Sequence, residues 1–222
     1  MDIQTLTVGD LETNCYLVSA QISPGTVAPL SGDSSQVRSQ NECIIIDPGD
    51  DADFITETIS NEKLKPVAIL LTHGHFDHVL GCLELKLNFD LSIYLHKNDE
   101  KLYTSANQSA FHWLKKKTLK VPPVDKFIKE GDQITLGSEK LVVIETPGHT
   151  PGSVCFYDGK NNLFSGDTLF KDAIGRTDFS YSKPLQLTKS LDKIFTLPGN
   201  TIVYSGHGET TTISDEKHRS SP

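Results

Sequence analysis

The stretch Thr72-His73-Gly74-His75-Phe76-Asp77-His78 decides how the rest of the sequence is interpreted, because it holds three of the chain's eight histidines. It directly follows the apolar run Pro66–Leu71, which is typical of a buried strand. His73 and His75 are two residues apart, so in an extended segment their side chains point to the same side. Asp77 and His78 come next, at the point where the chain enters a predicted helix. One loop at a strand end could therefore supply ligands to two adjacent metal ions.

Three more ligand-type residues follow apolar, strand-like runs, and each directly follows a glycine. They are His149, Asp167 and His207. Glycine permits a tight turn and lets the backbone approach a metal closely. Imidazole and carboxylate ligands without thiolates suit Zn²⁺ and also tolerate Fe or Mn. We therefore expect these residues to join the histidine cluster, whereas the histidines outside this context are interpreted as ordinary residues. Those histidines are His96, His112 and His218.

Motifs along nearly the whole chain resemble the metallo-β-lactamase-fold hydrolases, and most closely the small glyoxalase II-like branch (hydroxyacylglutathione hydrolase-like proteins). The motifs are Asn14–Leu17, Ile45–Gly49, Thr72–His78, Thr146–Gly152, Ser165–Phe170, Ile174–Phe179 and Gly206–Gly208. The resemblance implies an α/β fold, a four-layer αββα sandwich with the metal site at one edge between the two sheets. It also implies one metallo-hydrolase domain over residues 1–222.

The same resemblance implies a role for each candidate ligand. One metal would be held by His73, His75 and His149, the other by Asp77, His78 and His207, and Asp167 would bridge them. Asp47 matches an aspartate that orients the ligand loop without binding metal. The expected cofactors are two zinc ions, with iron or manganese as alternatives.

The implied activity is hydrolysis of a small-molecule thioester such as S-lactoylglutathione by metal-bound hydroxide, with Asp77 and Asp167 assigned to catalysis. Two cations that share one water lower its pKa far enough to give hydroxide near neutral pH. A thiolate is a good leaving group, so no dedicated general acid is required. Arg176 is a candidate contact for a substrate carboxylate, although pairing with Asp178 is the favoured interpretation.

Four alternatives stay open. A persulfide dioxygenase of this fold would hold one iron through His73, His149 and Asp167, but the full ligand set favours a hydrolase. A β-lactamase is disfavoured by the absence of an export signal and by the bridging aspartate. The acidic charge disfavours a nuclease. A non-catalytic binding module, in which the metal ions only stabilise the fold, is also disfavoured. Structural zinc sites are closed, whereas the predicted ligands leave an open coordination position.

Composition limits the partners and the location of the chain. The net charge of −8 repels phosphate backbones and anionic lipid, so neither nucleic acid nor a membrane is expected as a partner. The start Met1–Thr5 lacks the features of a signal peptide, and a cytoplasmic location is expected. Nothing in the sequence sets the oligomeric state.

Several local features complete the expectations. Residues 21–40 are rich in Ser, Gly, Gln and Pro and predict an exposed loop, and the polar residues 217–222 predict a flexible tail. The single tryptophan, Trp113, is interpreted as a packing anchor. The four cysteines form no C-x-x-C pair and are expected to be reduced thiols in the core.

Overall fold

The first sheet contains six strands in sequence order. In the computed structural model, the described residues are 1–20 and 41–219, so the loop expected over 21–40 lies outside them. The strands are β1 (Asp2–Val8), β2 (Thr13–Ser19), β3 (Asn41–Ile46), β4 (Leu64–Leu70), β5 (Ser92–His96) and β6 (Lys126–Ile128). The first three strands pair antiparallel, and β3 to β6 pair parallel. The carboxyl ends of β3 to β5 therefore point to one edge, where ligands bind in sheets of this kind.

The second sheet is mostly antiparallel. Its strands and a small two-stranded ribbon are β7 (Gln133–Leu136), β8 (Glu139–Glu145), β9 (Val154–Tyr157), β10 (Asn162–Gly166), β11 (Leu169–Phe170), β12 (Ala173–Ile174), β13 (Ile202–Ser205) and β14 (Thr211–Thr212). The sheet order is β14-β13-β10-β9-β8-β7, and β11 pairs with β12 in the ribbon. Because β10 and β13 run parallel, the residues that follow them emerge at the same edge.

Seven α-helices are assigned among the described residues. They are α1 (Ala52–Asn61), α2 (Phe76–Val79), α3 (Cys82–Phe89), α4 (Glu100–Thr104), α5 (Ala106–Leu114), α6 (Pro184–Ile194) and α7 (Ile213–Arg219). A 3₁₀ turn, Lys97–Asp99, precedes α4. The segment Lys97–Thr104 therefore consists of two short helical pieces.

Three apolar clusters show how the layers pack. Ile44 and Ile46 of β3 pack between the sheets in one cluster with Val143 and Phe156 of the second sheet. Ile45, between them in the sequence, points the other way and belongs to the cluster that includes α1 and α3. A third cluster joins the outer face of the second sheet to α6 and α7. Burial of both strand faces explains the continuous apolar run in β3, and the predicted αββα sandwich is confirmed.

Two local expectations need correction. The tail expected over 217–222 is helical as far as Arg219, because α7 continues there and Lys217 donates to the carbonyl of Phe195 at 3.1 Å; residues 220–222 lie outside the described part. The interpretation of Trp113 as a packing anchor is wrong, since 58% of this residue is exposed. By helical spacing Trp113 lies on the same face of α5 as the buried Ala106 and Ala110, but it stands in the last turn of the helix, where most of its surface stays exposed.

The cysteines agree with the expectation. All four are free and buried, and burial raises the pKa of the Cys43 thiol to about 12. A thiol in such surroundings stays protonated and behaves as a small apolar side chain. A separate observation concerns the helices: none within residues 1–20 and 41–219 has the length and apolar character needed to cross a bilayer.

Candidate metal centre

The Thr72–His78 loop is fixed at its base by a buried carboxylate, Asp47. Oδ1 of Asp47 accepts the backbone N–H of Thr72 at 2.8 Å, and Oδ2 accepts the Thr72 hydroxyl at 2.6 Å. Oδ2 also lies 3.1 Å from Nδ1 of His78. Both Asp47 oxygens are therefore used by the loop, which agrees with the predicted orienting role of this residue.

In the first group of candidate ligands, three histidine ring nitrogens lie close together. Nδ1 of His75 lies 3.0 Å from Nε2 of His73 and 3.0 Å from Nε2 of His149. Oδ2 of Asp167 lies 3.4 Å from the His149 nitrogen and 3.8 Å from the His73 nitrogen. The ligand atoms of these four residues fall within 4.8 Å of one another. Two ligands about 2.0–2.1 Å from one zinc ion would lie roughly 3.3 Å apart at a tetrahedral angle, so this spacing suits a single cation.

The second group meets on the other oxygen of Asp167. Nε2 of His78 lies 3.4 Å from Asp167 Oδ1 and 3.6 Å from Asp77 Oδ2. Nε2 of His207 lies 3.4 Å from the same Asp77 oxygen and 3.8 Å from Asp167 Oδ1. All seven candidate ligands predicted from the sequence are therefore brought together.

Two buried atoms at the junction of the groups have no hydrogen-bond partner. They are Nε2 of His78 and Oδ1 of Asp167. Leaving buried polar atoms without partners is costly, and a divalent cation in contact with both would remove that cost. The donor set and these orphaned atoms fit a divalent metal site.

The remaining ring nitrogen of each histidine has an oxygen partner. The partners are Thr72 Oγ1 for His73, Tyr181 Oη for His75, Asp47 Oδ2 for His78, the Arg176 carbonyl for His149 and the Leu11 carbonyl for His207. An N–H directed to these oxygens leaves the lone pair of the other nitrogen facing the centre. These partners orient each ring so that its other nitrogen faces the candidate metal centre.

The histidines of the two ligand groups differ in their protonation. Burial, together with the neighbouring His149, lowers the pKa of His75 to about 3, so this ring is neutral near pH 7. Burial also disfavours the charged form of His78, but the carboxylates of Asp77 and Asp167 outweigh it and raise its pKa to about 10. The negative charge that holds a proton on His78 would equally stabilise a divalent cation.

The loop that carries His207 is tied across to the first sheet. Nδ2 of Asn14 donates to the carbonyls of Ser205 and Gly208 at 3.1 and 2.9 Å, and the Tyr16 hydroxyl donates to the Ser205 carbonyl at 2.5 Å. These contacts span about 190 residues of sequence. They give a physical role to the Asn14–Leu17 motif.

Asp99 is a buried positioning residue that sequence reasoning missed. Its Oδ2 accepts the backbone N–H of Gly74 at 2.9 Å and the Thr150 hydroxyl at 2.7 Å, and its Oδ1 accepts the N–H of Gly152 at 2.6 Å. One carboxylate thus links the loop of His73 and His75 to the loop of His149. A lone aspartate without a neighbouring motif gives no sequence signal for this role.

We expect Asp99→Asn to lower the free energy of unfolding by about 2–4 kcal/mol. One end of the asparagine amide is a hydrogen-bond donor, so it cannot replace both accepting oxygens of Asp99, and a buried donor loses its partner. Urea denaturation monitored by circular dichroism measures the change. Asp132→Asn is the matched control, since Asp132 accepts one backbone N–H in an exposed turn; it should cost less than about 0.5 kcal/mol. Equal losses in the two variants would contradict the linking role.

Tyr181 is a second residue that the sequence did not reveal. Its hydroxyl lies 2.8 Å from Nε2 of His75, and its ring stacks on Phe179 with centroids 5.3 Å apart. We expect Tyr181→Phe to lower metal affinity by about 10–100-fold, as is usual when the partner of a ligating histidine is lost. Competition with a chromogenic chelator measures this. Tyr157→Phe, which removes a hydroxyl from an exposed turn, should have no effect, and unchanged affinity in Tyr181→Phe would refute the role.

Five of the seven candidate ligands line an open pocket of about 780 Å³, namely His75, Asp77, His149, Asp167 and His207. Arg176 lies on its wall and makes two hydrogen bonds to Asp178, at 2.7 and 2.6 Å. The favoured interpretation of Arg176 as a partner of Asp178 is confirmed. Trp113 also lines the pocket.

Fold and site together define a metal-binding protein of the αββα class. The model of the metallo-beta-lactamase superfamily matches residues 27–207, and the chain belongs to that superfamily. The probable metallo-hydrolase YqgX of Bacillus subtilis (strain 168) is 36% identical over 193 residues, covering 86% of this chain and 92% of that protein. The hydroxyacylglutathione hydrolase GloC of Haemophilus influenzae is 34% identical and covers 82% of this chain and 87% of its own.

Solved structures give the same fold. The crystal structure of the BLEG-1 B3 metallo-beta-lactamase is 33% identical, with a TM-score of 0.84 over 98% of this chain and 97% of that one. TTHA1623, solved in a di-iron-bound form, is 35% identical, with a TM-score of 0.82 over 97% of each chain. The resemblance on which the sequence analysis rests is thereby confirmed, and a divalent metal site is supported.

Proposed function

We propose that this chain is a binuclear metal-dependent thioesterase of the glyoxalase II-like type, which hydrolyses S-acyl thiol esters such as S-lactoylglutathione. One observation carries the proposal: two groups of imidazole and carboxylate ligands face opposite oxygens of Asp167 beside an open pocket. In the proposed arrangement one cation binds His73, His75 and His149, the other binds Asp77, His78 and His207, and Asp167 lies between them. Zinc is the proposed metal, with iron or manganese as alternatives.

A bound pair of divalent cations would supply a water of lowered pKa and a positive charge that stabilises an oxyanion. The residues of the chain position the reaction. Asp77 stays ionised because, although burial opposes it, the neighbouring His78 lowers the pKa of its carboxyl. Burial raises the pKa of Tyr181 to about 12, so its hydroxyl keeps a proton that it can donate to a substrate oxygen while it accepts from His75.

The thioester class is supported by the chemistry of the leaving group and by the GloC relative. A thiolate leaves without protonation, and the Tyr181 hydroxyl beside His75 is a weak acid. The mononuclear iron alternative would leave Asp77, His78 and His207 without a role, although they converge as a second group. The likeness to a B3 metallo-beta-lactamase keeps β-lactam hydrolysis as the competing activity to be measured.

The test combines a metal count with a substrate panel. Protein purified without chelator should contain about two metal ions per chain, measured by plasma mass spectrometry. It should hydrolyse S-D-lactoylglutathione, followed by loss of thioester absorbance, and exhaustive dialysis against chelator should remove that activity. One iron per chain with oxygen uptake on glutathione persulfide would establish the dioxygenase instead. Turnover of a chromogenic cephalosporin without thioester hydrolysis would establish a β-lactamase.

A further inference from the structure

The rim of the pocket carries three large apolar side chains that water reaches. Trp113 is 58% exposed, Ile174 is 51% exposed and Leu11 is 42% exposed. They come from three separate parts of the fold, namely α5, β12 and the turn between β1 and β2, and all three line the same pocket. Exposed apolar side chains that gather beside a site mark a surface that a ligand covers.

The wall below the rim is also apolar. Leu102, Leu114 and Phe170 line it, and Phe179 closes it beside the candidate ligands. An apolar lining therefore runs from the rim down to the metal centre. Such a lining binds hydrocarbon, since removing apolar surface from water is favourable in proportion to its area.

Charged groups in the described lining are few. The carboxylates of Asp77 and Asp167 belong to the candidate metal centre, and the only lysine or arginine among the lining residues that the structure describes is Arg176. Its guanidinium is held by Asp178 and lies over the ring of Phe179, 4.5 Å from the centroid. The glutathione arm of a thioester carries two carboxylates, and this part of the pocket offers them no free cation.

We infer that the preferred substrate is a thioester with an uncharged hydrocarbon arm, which lies against Trp113, Ile174 and Leu11 while the thioester carbonyl lies at the metal centre. The inference rests on the proposed function for the reaction, and adds the class of substrate. The hydrocarbon arm can belong to the acyl group or to the thiol, because the same wall serves both.

Kinetics on two substrate series test the inference with the metal-loaded protein. One series holds N-acetylcysteamine as the thiol and lengthens the acyl group from acetyl to butanoyl to hexanoyl. The other holds the acetyl group and compares butanethiol with glutathione as the thiol. Each buried methylene is worth about fourfold, so we expect kcat/KM to rise by at least about tenfold along one series. A flat response in both series, or a preference for S-lactoylglutathione over every hydrocarbon thioester, would overturn the inference.

A matched pair of variants on α5 locates the effect. Trp113→Ala should remove most of the chain-length gain, about tenfold in kcat/KM for the hexanoyl substrate. Phe111→Ala is the control, because Phe111 is similarly exposed on the same helix but does not line the pocket; it should leave the gain intact. Equal effects of the two substitutions would contradict the role of Trp113.

Binding can be measured without turnover, because Trp113 is the single tryptophan of the chain. Titration with the unreactive thioether N-acetyl-S-hexylcysteamine should shift the emission of Trp113 to shorter wavelength, whereas S-methylglutathione should not. This titration distinguishes a failure of the inference from a failure of the proposed function. A shift without any thioester hydrolysis would overturn the proposed function and support the apolar ligand. Thioester hydrolysis without a shift or a chain-length gain would overturn the inference and leave the proposed function in place.

Discussion

Replacing Asp167 with alanine is expected to abolish hydrolysis and remove bound metal while the fold is retained. The two oxygens of Asp167 face different ligand groups, Oδ2 toward His149 at 3.4 Å and Oδ1 toward His78 at 3.4 Å. Loss of a residue that only supports a ligand costs about 10–100-fold. Loss of a carboxylate shared by both groups should cost more, at least about 10³-fold in kcat/KM.

Thioester hydrolysis and metal content of the purified Asp167→Ala variant, with circular dichroism as the check of folding, measure these effects. His75→Ala should behave in the same way, because Nδ1 of His75 stands between the nitrogens of His73 and His149. Asp192→Ala removes an exposed carboxylate from α6 and is the matched control. Wild-type turnover in either ligand variant would show that the metal assignment is wrong.

Gly206→Ala is the second substitution with a large expected effect. A Cβ atom at Gly206 would lie 2.2 Å from Oδ1 of Asp167 and 2.8 Å from Cε1 of His78. The backbone of Gly206 cannot retreat, because its N–H donates to the Gly166 carbonyl and its own carbonyl accepts from Asn14, both at 2.8 Å. The added methyl group must therefore displace two candidate ligands.

We expect Gly206→Ala to lower the hydrolysis rate by at least about 10²-fold, because displacing a group of the active site by about 1 Å can slow a reaction by that factor. Overpacking should also cost about 1–3 kcal/mol of folding free energy. Activity, metal content and urea denaturation measure these effects. Gly199→Ala is the control, since its Cβ would meet Ser214 only at 3.3 Å. A Gly206→Ala protein with wild-type metal content and rate would show that this contact does not shape the site.

Local patterns in the sequence predicted the parts of the site that depend on neighbouring residues. The Thr72–His78 stretch is short, so its spacing alone places His73 and His75 on one side of an extended segment. His149, Asp167 and His207 each follow a strand, and a strand end positions a side chain reproducibly. The prediction that these three residues lie close together rested on the family resemblance. That resemblance implies a fold in which the two sheets bring the three strand ends to one edge.

Roles that depend on distant contacts could not be read from the sequence. Asp99 acts through backbone groups of Gly74 and Gly152, which are 25 and 53 residues away. Tyr181 reaches His75 across 106 residues. Trp113 is not a packing anchor, because it stands in the last turn of the short helix α5 and remains exposed there. Short strands such as β6 and β14 give no periodic signal in the sequence, because they have only three and two residues.

Anomalous X-ray diffraction from crystals of the metal-loaded protein tests the central claim most directly. The account predicts two anomalous peaks, one among His73, His75, His149 and Oδ2 of Asp167, and the other among Asp77, His78, His207 and Oδ1 of the same aspartate. Metal bound only elsewhere, or no peak beside Asp167 in protein that hydrolyses thioesters, would contradict it.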